Sequence, residues 1–436
     1  MSTNHRKSVH ILTLGCKVNA YESEAMLELF EKAGYQVHNN PEEVSDIYII
    51  NTCTVTNLSD RKSRQFIRRS KRANPQAVVA VVGCYAQTSP DQVEAMEDVD
   101  LVLGTKDRNK IVDYIEEILI KRQKIVRVTD SSMHREFESF FIENQEDHTR
   151  AYVKIQDGCN QFCSYCIIPY ARGPIRSRDP QETLEEIQSL VDRGYQEVIL
   201  TGIHVASYGV DLGEIRLIDL IERIARIPGL KRIRLSSVDP RLVTEDFIQR
   251  LQATGKVCDH FHLSMQHASN KILKAMNRKY SQEDFFEKTE IIRKYMPYAG
   301  LTTDCIVGFP GEEEEDFEIL KDFVKKVGFS RIHVFPYSPR EGTKAASMKQ
   351  LDGKIKQARS KALLEVGEEL SLDFIDQNRN RDLEVLFEKE ERGLYHGYTT
   401  NYIRVVASSQ ENLTNKICHG TIKDKTVEPV EFQIRR

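Results

Sequence analysis

Residues Gly158 to Cys166 read Gly-Cys-Asn-Gln-Phe-Cys-Ser-Tyr-Cys, a loop with three closely spaced thiols. Three residues separate Cys159 from Cys163, and two separate Cys163 from Cys166. A structural zinc ion or an ordinary iron–sulfur cluster takes four protein ligands, so three thiolates leave one metal position open. The alternative is a zinc knuckle with a histidine as fourth ligand, but no histidine lies near this loop in the sequence. The spacing therefore favours an iron–sulfur cluster with one open iron.

The loop follows the first strand of an alternating series of strands and helices. Apolar runs predict six strands, at residues 152–157, 197–202, 232–237, 260–266, 301–307 and 331–335. Helical patterns lie between them, at residues 183–191, 217–227, 285–295 and 316–327, with a further helix around Ile272. Six β/α units predict a partial or complete barrel, whose active face lies at the carboxyl ends of the strands. The three-cysteine loop lies at that face.

The N-terminal part holds three dispersed cysteines. Strands are predicted at residues 9–14, 46–51, 77–82 and 99–103, alternating with helices, which indicates an open parallel α/β sheet. Cys16, Cys53 and Cys84 each come just past the carboxyl end of one of these strands. Open α/β sheets bind ligands at that edge, so we expect the three thiols to converge on a second site.

The C-terminal part has a different pattern. A long amphipathic helix is predicted at residues 354–378, and short alternating runs from residue 382 onward predict a small antiparallel β-barrel. Residues 122–150 are polar and rich in charge, which is typical of a linker. We therefore expect an α/β chain with an N-terminal domain at residues 1–120, a linker at 121–144, a core at 145–372 and a terminal barrel at 373–436.

Composition limits the cellular setting. The chain has 436 residues, and neither a signal peptide nor an apolar stretch long enough to cross a bilayer is recognisable, so we expect a cytoplasmic protein with no membrane partner. In that compartment, closely spaced cysteines indicate metal binding or catalysis more than disulfides. The net charge of −4 identifies no polyanionic partner, so any nucleic-acid surface must be local.

One predicted helix is strongly basic. Residues 61–72 contain seven cations and no acid, among them Arg61, Lys62, Arg64, Arg68 and Arg69. A solvated charged face is one interpretation. RNA contact is the favoured one, because seven like charges on one helix repel one another and a phosphate backbone relieves this repulsion. A smaller basic group, Arg172, Arg176 and Arg178, follows the cysteine loop and leaves the same two interpretations open.

The motifs around the cysteines resemble those of the radical S-adenosylmethionine (radical SAM) methylthiotransferase family, over essentially the whole chain. The loop spacing is the signature of radical SAM enzymes. Further marks are Thr-Leu-Gly-Cys-Lys-Val-Asn at 13–19, Asn-Thr-Cys-Thr-Val-Thr at 51–56, Val-Gly-Cys-Tyr-Ala-Gln at 82–87, the run 158–178 and Pro-Tyr-Ser-Pro-Arg-Glu-Gly-Thr at 336–343. The terminal barrel would then be a TRAM domain.

The resemblance implies two 4Fe–4S clusters with different tasks. The cluster on Cys159, Cys163 and Cys166 would bind S-adenosylmethionine and generate a 5′-deoxyadenosyl radical that takes a hydrogen from carbon 2 of an adenine. The cluster on Cys16, Cys53 and Cys84 would present sulfur to that carbon. Implied partners are the anticodon stem-loop of tRNA and an electron donor such as flavodoxin or ferredoxin.

The motif wording is most similar to the branch that acts on threonylcarbamoyladenosine in tRNA. The alternatives are the isopentenyladenosine branch, methylthiolation of a ribosomal-protein aspartate and, in another class, a non-catalytic zinc-stabilised RNA-binding protein. Polar or glycine residues at barrel strand ends, Gly202, Ser237 and Asp304, are predicted to line the S-adenosylmethionine pocket. Tyr395, Tyr398 and Tyr402 of the terminal barrel are possible stacking residues for nucleic acid. The isolated Cys258, Cys305 and Cys418 are expected to be structural.

Overall fold

The computed structural model describes residues 6–38, 40, 43–54, 57–143, 145 and 149–435, and for residues 57–59 it describes only the backbone. Val55 and Thr56 of the motif at 51–56, and Asn144 at the end of the predicted linker, lie outside this description. The chain forms two compact units. The first contains Met1–Glu143, Lys154–Asp179 and Ser338–Ala346, and the second contains Asn144–Val153, Pro180–Tyr337 and Ser347–Arg436.

A six-stranded sheet with all strands parallel organises the first unit, in the order β2-β1-β3-β4-β5-β6. The four predicted strands are confirmed, and two short strands, β2 and β6, are added at the edges. β6 lies within the stretch expected to be a linker. The strands are β1 (Ser8–Thr13), β2 (Gln36–Val37), β3 (Ile47–Thr52), β4 (Val78–Gly83), β5 (Leu101–Leu103) and β6 (Ile125–Arg127).

Helices cover both faces of this sheet. Every residue of β3 and β4 is therefore buried, and two separate apolar clusters form, one on each side of the sheet. The helices of the first unit are α1 (Lys17–Lys32), α2 (Asn57–Ala73), α3 (Cys84–Thr88), α4 (Pro90–Glu94), α5 (Ile111–Lys121) and α6 (Ile168–Arg172).

The predicted partial barrel forms as two four-stranded sheets, in the orders β10-β9-β7-β8 and β11-β12-β13-β14. Its first strand, β7, has its first residues in the second unit and its last residues in the first unit. The strand predicted at 232–237 is interrupted at Ser236, which separates β10 from β11. The strands are β7 (Arg150–Asp157), β8 (Arg176–Ser177), β9 (Glu197–Gly202), β10 (Arg232–Leu235), β11 (Ser237–Val238), β12 (His260–Gln266), β13 (Gly300–Val307) and β14 (Arg331–Pro336).

Seven helices accompany these strands in the described part of the second unit. One of them, α9, has no counterpart among the predicted helices. Thr244 precedes it, and the Thr244 hydroxyl accepts a hydrogen bond from the Phe247 amide and so caps the first turn. The helices are α7 (Pro180–Asp192), α8 (Leu217–Ala225), α9 (Glu245–Ala253), α10 (Asn270–Ala275), α11 (Gln282–Tyr295), α12 (Glu314–Val327) and α13 (Gly353–Gln377).

The chain ends in a closed five-stranded barrel with the order β15-β16-β17-β19-β18, consistent with a TRAM domain. Its core holds aromatic and aliphatic side chains, among them Val385, Phe387 and Phe432. All pairs are antiparallel except β17 with β19, which are parallel because the chain crosses between them instead of turning back. The strands are β15 (Leu383–Glu391), β16 (Leu394–Thr399), β17 (Arg404–Ala407), β18 (Ile417–Ile422) and β19 (Val430–Ile434). Among the residues described, helices with the length and apolarity of a bilayer span are absent.

Candidate functional site

The structure brings the three dispersed cysteines to one edge of the first sheet. β1, β3 and β4 are neighbours, with Thr13 opposite Asn51 and Thr52 opposite Gly83 at their carboxyl ends. Besides burial, charge on Cys16 raises the pKa of the Cys84 thiol, so these two cysteines lie close together. A Cβ atom built on Gly15 would lie 2.7 Å from the Cβ of Cys53, so the first two cysteine loops touch.

Side chains beneath the cysteines fix these loops to one another. The Asn19 amide donates to the Leu14 carbonyl at 2.7 Å and to the Thr52 carbonyl at 3.0 Å, joining the loop of Cys16 to that of Cys53. The Thr52 hydroxyl donates to the Val82 carbonyl at 2.6 Å and accepts from the Tyr85 amide at 3.2 Å. Both side chains are part of the quoted motifs, but their positioning role was not predicted.

Cys84 has a charged neighbour. The Nε of Arg172 lies 3.3 Å from the Cys84 sulfur, and both residues are buried. Burial raises the pKa of the Cys84 thiol, while the positive charge of Arg172 and its hydrogen bond act in the opposite direction. For Arg172, Arg176 and Arg178, a solvated face and RNA contact were both left open, and the structure fits neither interpretation, because all three are at most 3% exposed.

The tight cysteine loop is tied down at its start and folded by an internal turn. The Cys159 amide donates to the Gly173 carbonyl at 3.0 Å, and the Cys166 amide donates to the Cys163 carbonyl at 3.0 Å. Gly158 has a φ of 73°, in the left-handed region that glycine tolerates, and its amide donates to the Asp157 carboxylate at 2.8 Å. All three thiols are half-buried, so they line a surface that a cofactor can reach.

The described residues contain no group of three or more His, Cys, Asp or Glu side chains arranged around a single metal ion. A four-iron cluster does not require such a group, because each thiolate binds a different iron. The donor set, three thiols at each of two sites, fits two clusters with one open iron each. Of the other cysteines, Cys258 and Cys305 are buried and Cys418 is half-buried.

The three residues predicted for the S-adenosylmethionine pocket belong to the second unit, whereas all six cysteines belong to the first. Gly202 ends β9, Ser237 begins β11 and Asp304 lies in β13. Ser237 is opposite His262 in the neighbouring strand, and the Nε2 of His262 lies 3.3 Å from the Asp304 carboxylate. The structure thus brings Ser237 and Asp304 together around His262, while Gly202 ends a strand of the other sheet.

Helix α2 presents most of its cations to solvent. Arg61, Lys62, Arg68, Arg69 and Arg72 are exposed, whereas Ser63, Ile67 and Ser70 are buried. Arg64 and Lys71 are among the cations that have partners within the first unit. Arg64 donates to the Tyr85 hydroxyl at 3.1 Å, and Lys71 lies 2.8 Å from the Asp100 carboxylate.

The aromatic residues of the terminal barrel have intramolecular partners. The rings of Tyr398 and Tyr402 stack at 4.9 Å, and the guanidinium groups of Arg150 and Arg234 lie over them at 4.6 and 4.7 Å, respectively. Tyr395 packs against the barrel core. Packing and cation–π attraction within the second unit therefore account for the positions of the three tyrosines.

Two family models match the chain. The Radical SAM superfamily matches residues 153–324, and the Uncharacterized protein family UPF0004 matches residues 8–104. The structure of the radical S-adenosylmethionine methyltransferase TsrM from Kitasatospora setae is similar, with a TM-score of 0.55 and 16% identity over 78% of this chain and 77% of that one. With the three-cysteine loop directly after β7, the fold and site define a radical SAM enzyme.

Relatives similar over almost the full length narrow this class. The threonylcarbamoyladenosine tRNA methylthiotransferase MtaB of Bacillus subtilis is 45% identical over 93% of this chain and 91% of its own length. Its namesake from Aquifex aeolicus is 38% identical over 90% of this chain and 95% of its own length. The tRNA-2-methylthio-N(6)-dimethylallyladenosine synthase of Carboxydothermus hydrogenoformans is 37% identical over 98% of both chains. The chain belongs to the radical SAM methylthiotransferase family, whose members are enzymes that transfer sulfur-containing groups.

Proposed function

We propose that this enzyme inserts a methylthio group at carbon 2 of threonylcarbamoyladenosine, next to the anticodon of tRNA. The similarity to relatives bearing that name supports this branch: identity reaches 45% with one of them, against 34 to 38% with relatives named as dimethylallyladenosine synthases. Methylthiolation of isopentenyladenosine is the competing candidate, because those synthases align over as much of the chain.

The two cysteine sites divide the reaction. Cys159, Cys163 and Cys166 would hold a 4Fe–4S cluster, which together with S-adenosylmethionine would supply a radical that activates the adenine carbon. Gly202, Ser237 and Asp304 would line the pocket for S-adenosylmethionine. Cys16, Cys53 and Cys84 would hold a second 4Fe–4S cluster, which would present sulfur to that carbon.

The main support for the second cluster is the contact between Arg172 and Cys84. A neutral thiol is a weak hydrogen-bond acceptor, whereas a metal-bound thiolate is a strong one for a guanidinium donor. A buried arginine directed at this sulfur therefore suits a ligand thiolate. The convergence of the three loops gives that thiolate two partners on the same sheet edge.

The substrate suggests the partners and the location. Exposed cations of α2, Arg61, Lys62, Arg68 and Arg69, would bind the phosphates of the anticodon stem-loop, with Arg64 braced by Tyr85 beside them. Flavodoxin or ferredoxin would reduce the radical cluster. We place the enzyme in the cytoplasm, where its tRNA substrate is. The domains would be residues 1–120 for the second cluster, a linker at 121–144, the radical core at 145–372 and the TRAM barrel at 373–436.

Anaerobic reconstitution with iron and sulfide tests the two clusters. Two four-iron clusters give about eight irons for each chain, with the brown absorption of iron–sulfur proteins. A fully active protein that contains zinc and no iron would overturn the proposal and favour a zinc-stabilised protein. About four irons in the wild type would mean that only the radical cluster is present, which would overturn the proposal of a second cluster.

The substrate branch is tested with purified reconstituted enzyme and two tRNAs that differ only in the modified adenosine. The proposal predicts a 2-methylthio product from threonylcarbamoyladenosine and little or none from isopentenyladenosine. The reverse preference would assign the enzyme to the other branch, whereas a product on a ribosomal-protein aspartate would move it out of tRNA modification.

A further inference from the structure

Arg172 lies between the two cysteine sites and is fully buried. Its Nε donates to the Cys84 sulfur at 3.3 Å. Its Nη2 donates to Asn19 and Glu22, both at 2.9 Å, and its Nη1 donates to Glu22 and lies 3.4 Å from Asp157. Each nitrogen of the guanidinium therefore has a partner, and the planar group is held in one orientation toward the sulfur.

The carboxylates around Arg172 do not neutralise their surroundings. Glu22 lies 2.5 Å from Arg108 and 2.7 Å from Lys154, and Asp157 also lies 2.7 Å from Lys154. Arg176 lies 3.6 Å from Asp157, and Glu138 lies 2.6 Å from Arg108. This buried network holds four cations, Arg108, Lys154, Arg172 and Arg176, against three carboxylates, Glu22, Asp157 and Glu138. The network therefore has one excess positive charge, and Arg172 connects it to the sulfur of Cys84.

The same network reaches the tight cysteine loop. Asp157, which lies 3.4 Å from Arg172, accepts the Gly158 amide through its other oxygen, directly before Cys159. The guanidinium of Arg172 thus contacts a ligand sulfur of one site and the carboxylate that supports the loop of the other. All these contacts lie within the first unit.

We propose that Arg172 raises the reduction potential of the cluster on Cys16, Cys53 and Cys84. This inference rests on the second cluster of the proposed function. Hydrogen bonds to cluster sulfurs and nearby positive charge stabilise the more negative, reduced state of an iron–sulfur cluster. Arg172 supplies both at Cys84, from a position where water does not screen its charge.

The test is a redox titration followed by electron paramagnetic resonance. The full-length chain carries Cys163→Ala, so that only the cluster on the dispersed cysteines is observed. Arg172→Gln removes the charge and the Nε donor, and a clear shift to a more negative potential is expected. Arg172→Lys keeps the charge but loses the planar donor, so a smaller shift in the same direction is expected.

Arg108→Lys is the matched control. Arg108 is equally buried and contacts Glu22 in the same network, but its ion pairs are with Glu22 and Glu138. Its substitution is expected to leave the potential near that of the parent. Equal potentials in the parent, Arg172→Gln and Arg108→Lys would overturn the inference.

Glu22→Gln gives an effect of opposite sign. It removes a negative charge 2.9 Å from the Arg172 guanidinium while keeping the shape of the side chain, so a shift to a more positive potential is expected. An unchanged or more negative potential would contradict the inference.

A second measurement leaves Arg172 unsubstituted, so it does not require the Arg172 variants to fold. In protein labelled with ¹⁵N-arginine, the reduced cluster should show hyperfine coupling to an arginine nitrogen, and its absence would overturn the contact. Iron content separates the two proposals. A parent with Cys163→Ala that binds no four-iron cluster overturns the second cluster and this inference together. If the cluster binds but its potential is unchanged in the Arg172 variants, only the inference about Arg172 is overturned.

Discussion

Polar side chains under the dispersed cysteines, and not the cysteines alone, define the shape of that site. Asn19 and Thr52 each join two of the three cysteine loops through side-chain hydrogen bonds. Arg172 then approaches Cys84 from a segment that follows the tight cysteine loop. The two sites are therefore connected residue by residue within the first unit, although their cysteines are far apart in the sequence.

Removing one cysteine from each site should separate two activities. Cys163→Ala is expected to abolish cleavage of S-adenosylmethionine, because the radical cluster loses a ligand. Cys53→Ala is expected to keep cleavage and stop methylthio transfer, each variant retaining about four irons. Chromatography of 5′-deoxyadenosine and of tRNA nucleosides measures both. Cys418→Ala, at a half-buried thiol of the barrel, is the control and should keep both activities. Methylthiolated product from the Cys53 variant would show that the dispersed site is wrongly assigned.

Gly158→Ala should damage the tight loop. The residue has a φ of 73°, and an added Cβ would collide with the carbonyl oxygen of Pro174. We expect the free energy of unfolding to fall by about 1–3 kcal/mol from backbone strain, more from the collision, with loss of the radical cluster. Gly213→Ala is the control, since Gly213 has a φ of 88° but open space around its Cβ position. Urea unfolding and iron content measure the difference, and equal effects would contradict this account of the loop.

At the scale of elements, helix α2 has two different faces, one packed against the sheet and one exposed and positively charged. Ile67 and two serines face the sheet, while the cations at Arg61, Lys62, Arg68, Arg69 and Arg72 face outward. Its first turn is held by Asp60, whose carboxylate accepts from Arg340 at 2.6 Å. Arg340 belongs to the motif at 336–343, so that motif has a structural role beside the Cys53 loop.

The cations of α2 should determine the salt dependence of tRNA binding. The slope of log affinity against log salt is negative, and each lost phosphate contact lowers its magnitude by about 0.7–0.9. The triple variant Arg61→Gln, Lys62→Gln, Arg68→Gln should therefore lower the magnitude by about 2–3. Fluorescence anisotropy with labelled tRNA at several salt concentrations measures this slope. A triple variant at other exposed lysines, Lys349→Gln, Lys354→Gln and Lys361→Gln, is the control. Equal slopes in both variants would place the RNA surface elsewhere.

Elements with a clear periodic pattern could be predicted from the sequence, and those without one could not. β9 has the predicted bounds because it contains the apolar run at residues 198–200, and β12 has them because apolar and polar residues alternate along it. β2 and β6 have two or three residues, too few for a period. The six cysteines could be found from spacing and strand ends. The burial of Arg172 could not, because its partner Glu22 lies 150 positions away in the sequence.

At the scale of the whole molecule, a buried carboxylate joins distant parts of the second unit. Glu197 of β9 lies 2.9 Å from Arg232 and 2.8 Å from Arg234, and Arg150 connects it to Glu388 of the terminal barrel. Burial disfavours its charge, but the three arginines outweigh this effect and lower the pKa of Glu197 from 4.5 to about 2. The terminal barrel is thus fixed by charge as well as by apolar packing.

Glu197 should make stability depend on pH in the acid range. A lowered pKa in the folded state contributes stability above pH 4.5, which is lost as the pH falls toward about 2. Glu197→Gln should therefore cost about 3–5 kcal/mol near neutral pH, and the difference from the wild type should shrink as the pH falls through that range. Urea unfolding measures it, with the partly exposed Glu384→Gln as the control. A difference that does not change with pH would contradict the assigned pKa.

The central claim is that this chain methylthiolates threonylcarbamoyladenosine in tRNA. The most direct test is nucleoside mass spectrometry of total tRNA from cells that lack the protein, compared with cells that express it again from a plasmid. We predict that 2-methylthio-threonylcarbamoyladenosine disappears, that unmethylthiolated threonylcarbamoyladenosine accumulates and that the plasmid restores the product. Loss of the 2-methylthio isopentenyl nucleoside instead, with the threonylcarbamoyl nucleoside unchanged, would contradict the claim.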